Sequence, residues 1–175
     1  MNGPLGPRSA LSVEPRSKGL GYVASDGDGA LVDWGGCRAQ APRHKVYRSR
    51  TLKLMRGFGP DILLIEDCGA PSCRRRAKTK RLINLIASDA EREGILVIKI
   101  KRSDVLKRFC RYGGRSTFDL AEAVCAVHPV LGSRLPKPRK PWESEHYSTA
   151  LFEASARLST FYAQLTENGE YGSDW

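Results

Sequence analysis

Long hydrophobic runs are missing from this 175-residue chain. No uninterrupted apolar stretch reaches membrane-spanning length, and the N-terminus lacks the apolar core of an export signal. A soluble, cytoplasmic protein is the expectation. Paired cysteines are missing too. Cys37, Cys68, Cys73, Cys110 and Cys125 are odd in number, unevenly spaced and without a C-x-x-C pair. This argues against a zinc ribbon and against a disulfide framework, and predicts reduced thiols. His44, His128 and His146 are scattered, no Ser/His/Asp grouping is evident, and no glycine-rich phosphate loop opens a helix. Triad hydrolysis and nucleotide binding are therefore not indicated.

Acidic residues are also in deficit. Nineteen Asp and Glu face 29 Lys and Arg, for a formal net charge of +10. Such a chain seeks a polyanion, because Lys and Arg that contact phosphates release condensed counterions. The positive charge is clustered in "RRRAKTKR" (74–81), "KIKRSDVLKRFCR" (99–111) and "RLPKPRK" (134–140). Three clusters within a folded pattern favour a nucleic-acid surface over solvated faces.

The remaining content is one domain of alternating elements. Residues 1–9 are rich in Gly and Pro and read as a flexible tail; residues 10–166 form the domain, and 167–175 a polar tail. Strands are predicted over 10–14, 19–25 and 30–34, the last two joined by "DGDG", a hairpin turn whose glycines accept positive φ. A helix over 44–58 with Val46, Leu52, Leu54 and Met55 inward is stopped by Gly57, Gly59 and Pro60. "ILLIE" (62–66) reads as a central strand buried on both faces. A helix carrying Leu82, Leu85, Ile86 and Ala90 leads to "ILVIKI" (95–100), making a βαβ unit with parallel strands. A helix over 116–128, capped by Ser116 or Thr117, and a closing helix over 144–165 complete the chain. The order β-β-β-α-β-α-β-α-α is that of the ribonuclease H-like fold, an α/β architecture with a five-stranded mixed sheet flanked by helices.

"DILLIEDC" (61–68) ends the most apolar strand on two adjacent carboxylates, Glu66 and Asp67. Two-metal phosphodiester hydrolysis needs several carboxylates at one point, holding ions about 4 Å apart. Hard Mg²⁺ or Mn²⁺ takes oxygen ligands, so Asp and Glu are the fitting types. Asp67 reads either as a supporting ligand or as a loop cap. Asp119 and Glu122 form a rival pair, read as surface charges.

"LSVEPRSKGLGYVAS", "LLIED", "RSDVLKRFCRYGGRSTFDLAEAV" and "ALFEASARL" together resemble RuvC-type Holliday-junction resolvases over residues 11–165. The resemblance implies Glu14, Glu66 and Glu153 as catalytic metal ligands, with two Mg²⁺ or Mn²⁺ ions, branched or structured DNA as substrate and a homodimer. RNA is a further candidate partner. It also implies that Arg74, Arg75, Arg76, Lys78, Lys80 and Arg81 rim the site and hold nucleic-acid backbone, and that Lys107 and Arg108 contact it after strand five. Tyr112 and Phe118 are candidate stacking residues. The family has Asp-Pro-Gly where this chain has Glu14-Pro15-Arg16, and a final Asp where this chain has Glu153. A second expectation follows from these changes: a degenerate domain of the same fold that binds DNA or RNA without cleaving it.

Overall fold

Side-chain alternation along the two central strands decides what meets at the heart of this molecule. The computed structural model describes residues 8–41, 43–109 and 116–168. Its sheet has the order β3-β2-β1-β4-β5, with β1 (Ala10–Pro15), β2 (Leu20–Ser25), β3 (Leu31–Cys37), β4 (Ile62–Glu66) and β5 (Leu96–Ile100). The first three strands pair antiparallel, and β4 lies parallel to both β1 and β5. Helices α1 (Arg43–Phe58) and α2 (Ala77–Arg92) cover one face; α3 (Arg102–Phe109), α4 (Thr117–Val127) and α5 (Thr149–Glu167) cover the other. Among the described residues no helix is long and apolar enough to cross a membrane.

Successive strand residues point to opposite faces. Leu11, Val13, Leu63 and Ile65 thus pack with α1 and α2, whereas Ala10, Ile62 and Leu64 pack with α3, α4 and α5. Glu14 and Glu66 continue the second parity. The register pairs Ala10 with Ile62 and Ser12 with Leu64, so the same offset places Glu14 beside Glu66 on the α5 side.

Several boundaries differ from the sequence reading. β3 continues through Gly35, Gly36 and Cys37, because that stretch pairs with Leu20–Tyr22. The inward stripe of α1 is Tyr47, Thr51 and Met55, at i, i+4 and i+8, while Val46 faces out. Leu85 is likewise exposed, and Ile83 and Ala87 take its place in the core. A short additional helix, α3, follows β5 at once. α4 begins with a capping box in which the Ser116 hydroxyl accepts from the Asp119 amide and the Asp119 carboxylate accepts from the Ser116 amide. Asp119 is therefore a helix cap and not a bare surface charge. α5 begins at Thr149, five residues later than predicted, after a turn in which the His146 ring accepts from the Ser148 amide. Cys110 and Tyr112 lie outside the described residues, as do residues 1–7 and 169–175.

α5 lies directly on β2, and Gly21 allows it. A methyl group at Gly21 would overlap the backbone of Ala150 and Leu151. Gly21→Ala should therefore cost about 1–3 kcal/mol by overpacking, read as a lower urea midpoint. Gly57→Ala, with nothing within 4 Å of the added carbon, should not lower it.

Candidate functional site: carboxylates closed by arginines

Glu14 and Glu66 emerge at the carboxyl ends of β1 and β4, and α5 crosses above them carrying Glu153 and Arg157. All three glutamates are buried, Glu14 completely. Carboxylates so deep must be paired or lose their charge. Each is paired with arginine.

Arg75, from the loop after β4, spans the first two. Its Nη2 donates to Glu14 Oε1, its Nε donates to Glu66 Oε2 at 2.6 Å, and its Nη1 reaches the Pro15 carbonyl at 3.5 Å. Arg157 donates through Nη2 to the other Glu14 oxygen at 2.6 Å and through Nη1 to the Val13 carbonyl at 2.9 Å. Arg16, in the β1–β2 turn, donates to Glu153 Oε1 and to Glu145 Oε1, each at 3.1 Å. Its Nη1 also lies 3.9 Å from Glu14 Oε1. Arg102, the first residue of α3, donates to both Glu153 oxygens at 3.0 and 3.1 Å. Four guanidinium groups meet the four carboxylates of Glu14, Glu66, Glu145 and Glu153, so the formal charges cancel.

Protonation follows from these contacts. Burial alone would raise the Glu14 pKa, but the charges of Arg75, Arg157 and Arg16 outweigh it and bring the value from 4.5 down to about 2. Burial disfavours the charged form of Arg75, yet Glu14 and Glu66 hold its pKa well above the ordinary arginine value. Arg102 is shifted the same way: burial opposes its charge and Glu153 outweighs the burial. Glu14, Arg75 and Arg102 are thereby held in their charged forms.

Three sequence-predicted ligands are thus brought together: Glu14 and Glu66 share Arg75, and Glu14 and Glu153 share Arg16. Asp67 stands apart from them, its carboxylate accepting from the Gly69 amide at 3.0 Å in an Asx turn. Arg75 is turned inward onto carboxylates instead of presenting itself to a phosphate. Arg74, Arg76, Lys78 and Arg81 remain exposed and Lys80 is half-buried. Lys107 is exposed, whereas Arg108 lines a different cleft with His128 and Tyr162, whose hydroxyl bonds the Asp26 carbonyl at the opposite end of the sheet. Helical spacing would make Arg157 a surface partner of Glu153, but its carboxylate partner is Glu14.

Two divalent ions would have to be held by these same oxygens. The residues present do not fit them. A metal pair needs carboxylates with unspent negative charge, and here each of these glutamates is bound by an arginine; adding two doubly charged ions to a neutral buried cluster would leave four positive charges uncompensated. Glu66 Oε1 is buried without a hydrogen-bond partner, one oxygen where several are required. Among the described residues no group of three or more His, Cys, Asp and Glu is arranged to hold a metal ion. Burial, then the neighbouring Cys73, pushes the Cys68 thiol up to about 12, so it is held protonated.

Beside this cluster lies a cleft of about 440 Å³ where the first turns of α1 and α2 meet the β1–β2 turn. Arg16, Arg43, His44, Arg76 and Lys78 line it, with no carboxylate among the lining residues.

No family model and no curated protein matches this chain. Solved structures of RuvC do match. The Thermus thermophilus RuvC structure aligns at 20% identity and a TM-score of 0.58, covering 90% of this chain and 96% of that one. T. thermophilus RuvC in complex with a Holliday junction substrate aligns at 15% identity and a TM-score of 0.60, covering 93% of this chain and 96% of that one. What these matches share with the chain is the fold, the ribonuclease H-like α/β sandwich around a mixed five-stranded sheet.

Proposed function

We propose that this chain is a nucleic-acid-binding module on the RuvC fold, which engages branched or structured DNA and does not cut it. The observation that carries this reading is Arg75, whose guanidinium bridges Glu14 and Glu66 at the ends of the two central strands. A nuclease of this type would keep those oxygens for metal ions, which would supply an activated water and stabilise the leaving oxygen. Here a fixed cation takes their place. Together with Arg157, Arg16 and Arg102 it neutralises the carboxylates, but it activates no water. Neutrality still matters for binding, because bare buried glutamates would repel an approaching phosphate backbone. The exposed Arg74, Arg76, Lys78 and Arg81, beside the carboxylate-free cleft, then supply the attraction. The Holliday junction seen with the T. thermophilus protein supports a branched duplex as the ligand.

A labelled four-way junction and a linear duplex, each with and without Mg²⁺ or Mn²⁺, test this against wild type and Glu66→Gln. Expected is junction binding that weakens about a hundredfold between roughly 50 and 200 mM salt, as four phosphate contacts imply, with no metal-dependent product from either protein. Metal-dependent cuts by wild type that disappear in Glu66→Gln would instead restore the two-metal endonuclease. Absence of any salt-dependent binding would remove nucleic acid altogether.

A further inference from the structure

At the far edge of the sheet, β3 passes beneath the basic, proline-rich segment between α4 and α5, and a cleft of about 830 Å³ opens between them. Gly35 and Gly36 line it, together with Arg134, Lys137, Arg139 and Tyr147. A second cleft of about 280 Å³ continues it around the strand edge and shares Gly35, Gly36 and Arg134. Tyr22, Trp34 and Arg50 line this continuation. The glycine pair is what joins the two: Gly35 and Gly36 line both clefts, and the Tyr22 ring lies over the space that a side chain at 35 would take.

The charge in this groove is unspent. Arg50, Arg134 and Lys137 are exposed, and none has a carboxylate partner among the described residues. Glu143, the carboxylate among the lining residues, accepts from the Lys140 amide at 3.0 Å and keeps its charge, which Arg50, Arg134, Lys137 and Arg139 outnumber. Pro136 and Pro138 alternate with Lys137 and Arg139 and fix the backbone φ around them, so the cations are held along an extended segment at little entropic cost. Aromatic surface sits among them. Tyr22 lines the smaller cleft on the α1 side of the sheet, and Tyr147 lines the larger one with its ring centroid 4.5 Å from that of His146. Cations in a row with interleaved rings are the pattern of a strand-binding groove, where phosphates meet Lys and Arg and bases stack on aromatics. Clefts of roughly 300–1,000 Å³ enclose a small-molecule-sized ligand, so a nucleotide or two enters and a duplex does not.

We propose that this groove holds an unpaired nucleic-acid strand, its phosphates on Arg50, Arg134 and Lys137 and a base on the exposed ring of Tyr147. The assignment rests on the nucleic-acid reading above but adds a second surface, distinct from the cleft at Arg76 and Lys78. A structured substrate would be gripped at both its duplex and its single-stranded parts.

Anisotropy titrations of the full chain separate the two surfaces. The probes are labelled oligodeoxythymidylate, oligouridylate, an abasic oligodeoxynucleotide of the same length, and a fully paired four-way junction. Arg134→Ala/Lys137→Ala should weaken both oligonucleotides about tenfold and lower the salt slope by about 1.4, for two lost single-strand phosphate contacts, while junction affinity stays within about twofold. Arg76→Ala/Lys78→Ala should do the reverse. The abasic strand should bind wild type at least about fivefold more weakly, through lost stacking. Oligothymidylate and oligouridylate binding alike would mean that backbone and base are read without the sugar; a preference for one identifies the strand type, and either outcome upholds the groove. The proposal is overturned if the groove variant weakens junction and oligonucleotides equally, if the abasic strand binds as well as the others, or if polyglutamate displaces oligothymidylate as effectively as unlabelled oligonucleotide does. Junction binding without strand binding would sink the groove alone; binding of neither would sink the underlying nucleic-acid reading.

Discussion

Replacing Arg157 with leucine should destabilise the fold by about 3–5 kcal/mol, the loss typical of breaking a buried ion pair and several times that of a surface pair. The side chain is 3% exposed and lies on Glu14, which is 0% exposed. Removing one member of such a pair leaves the other charge buried without solvent and with fewer counter-charges. A backbone partner is lost as well, since the Val13 carbonyl would no longer receive the Arg157 Nη1 bond. Leucine fills part of the volume, so the loss reads mainly as electrostatics and hydrogen bonding. Urea unfolding gives the number. A second measurement distinguishes charge from packing: in the Glu14→Gln background, Arg157→Leu should cost less by about 0.5–3 kcal/mol, the range of coupling between contacting residues. A loss under about 1 kcal/mol in wild type, or strict additivity with Glu14→Gln, would mean that Arg157 is not the counter-charge.

That coupling also marks how far the sequence could be read. Strand order and parity were legible, because "ILLIE" is too apolar for anything but a central strand and the "DGDG" turn forces a hairpin. The convergence of Glu14 with Glu66 then follows from topology. The arginines were not legible in the same way, because a cluster such as "RRRAKTKR" gives no sign that its second arginine turns inward while the others stay in solvent. The ion pair between Arg157 and Glu14 spans 143 positions, and no local periodicity encodes such a partner. One signal was present. Arg157 stands in "FEASARLSTF", a helix segment of small and apolar residues, and an arginine within an otherwise core-like stretch requires a buried acid. Read that way, it pairs with the acid that the opposite strand supplies. Arg16 carries a similar signal, since it occupies the turn position immediately beyond Glu14-Pro15.

Acid should dissolve this cluster from Glu14 outward, and the sign of the effect is fixed by the direction of its shift. In the unfolded chain Glu14 takes up a proton near its ordinary value of 4.5; in the fold it does so only at about 2. Between those values the unfolded state binds the extra proton, so stability rises with pH across the window. The contribution is complete above about pH 4.5 and is lost as pH falls through about 2. A shift of this size corresponds to roughly 3 kcal/mol at about 1.4 kcal/mol per pH unit. The groups facing Glu14 are Arg75 from the loop after β4, Arg157 from α5, Arg16 from the β1–β2 turn, and the neighbouring carboxylates Glu66 and Glu153 that share those arginines. Arginine keeps its charge across this range, so the part of the slope assigned to this shift comes from the Glu14 carboxylate. Acids that share no arginine with Glu14 contribute to wild type and Glu14→Gln alike, so the difference in slope reports this cluster. Unfolding free energy measured by urea from about pH 5 to pH 2.5 should therefore fall more steeply in wild type, by up to about 1.4 kcal/mol per pH unit. Parallel slopes would show that Glu14 is not held ionised by the arginines. A steeper slope in Glu14→Gln would place the acid-sensitive charge elsewhere in the cluster.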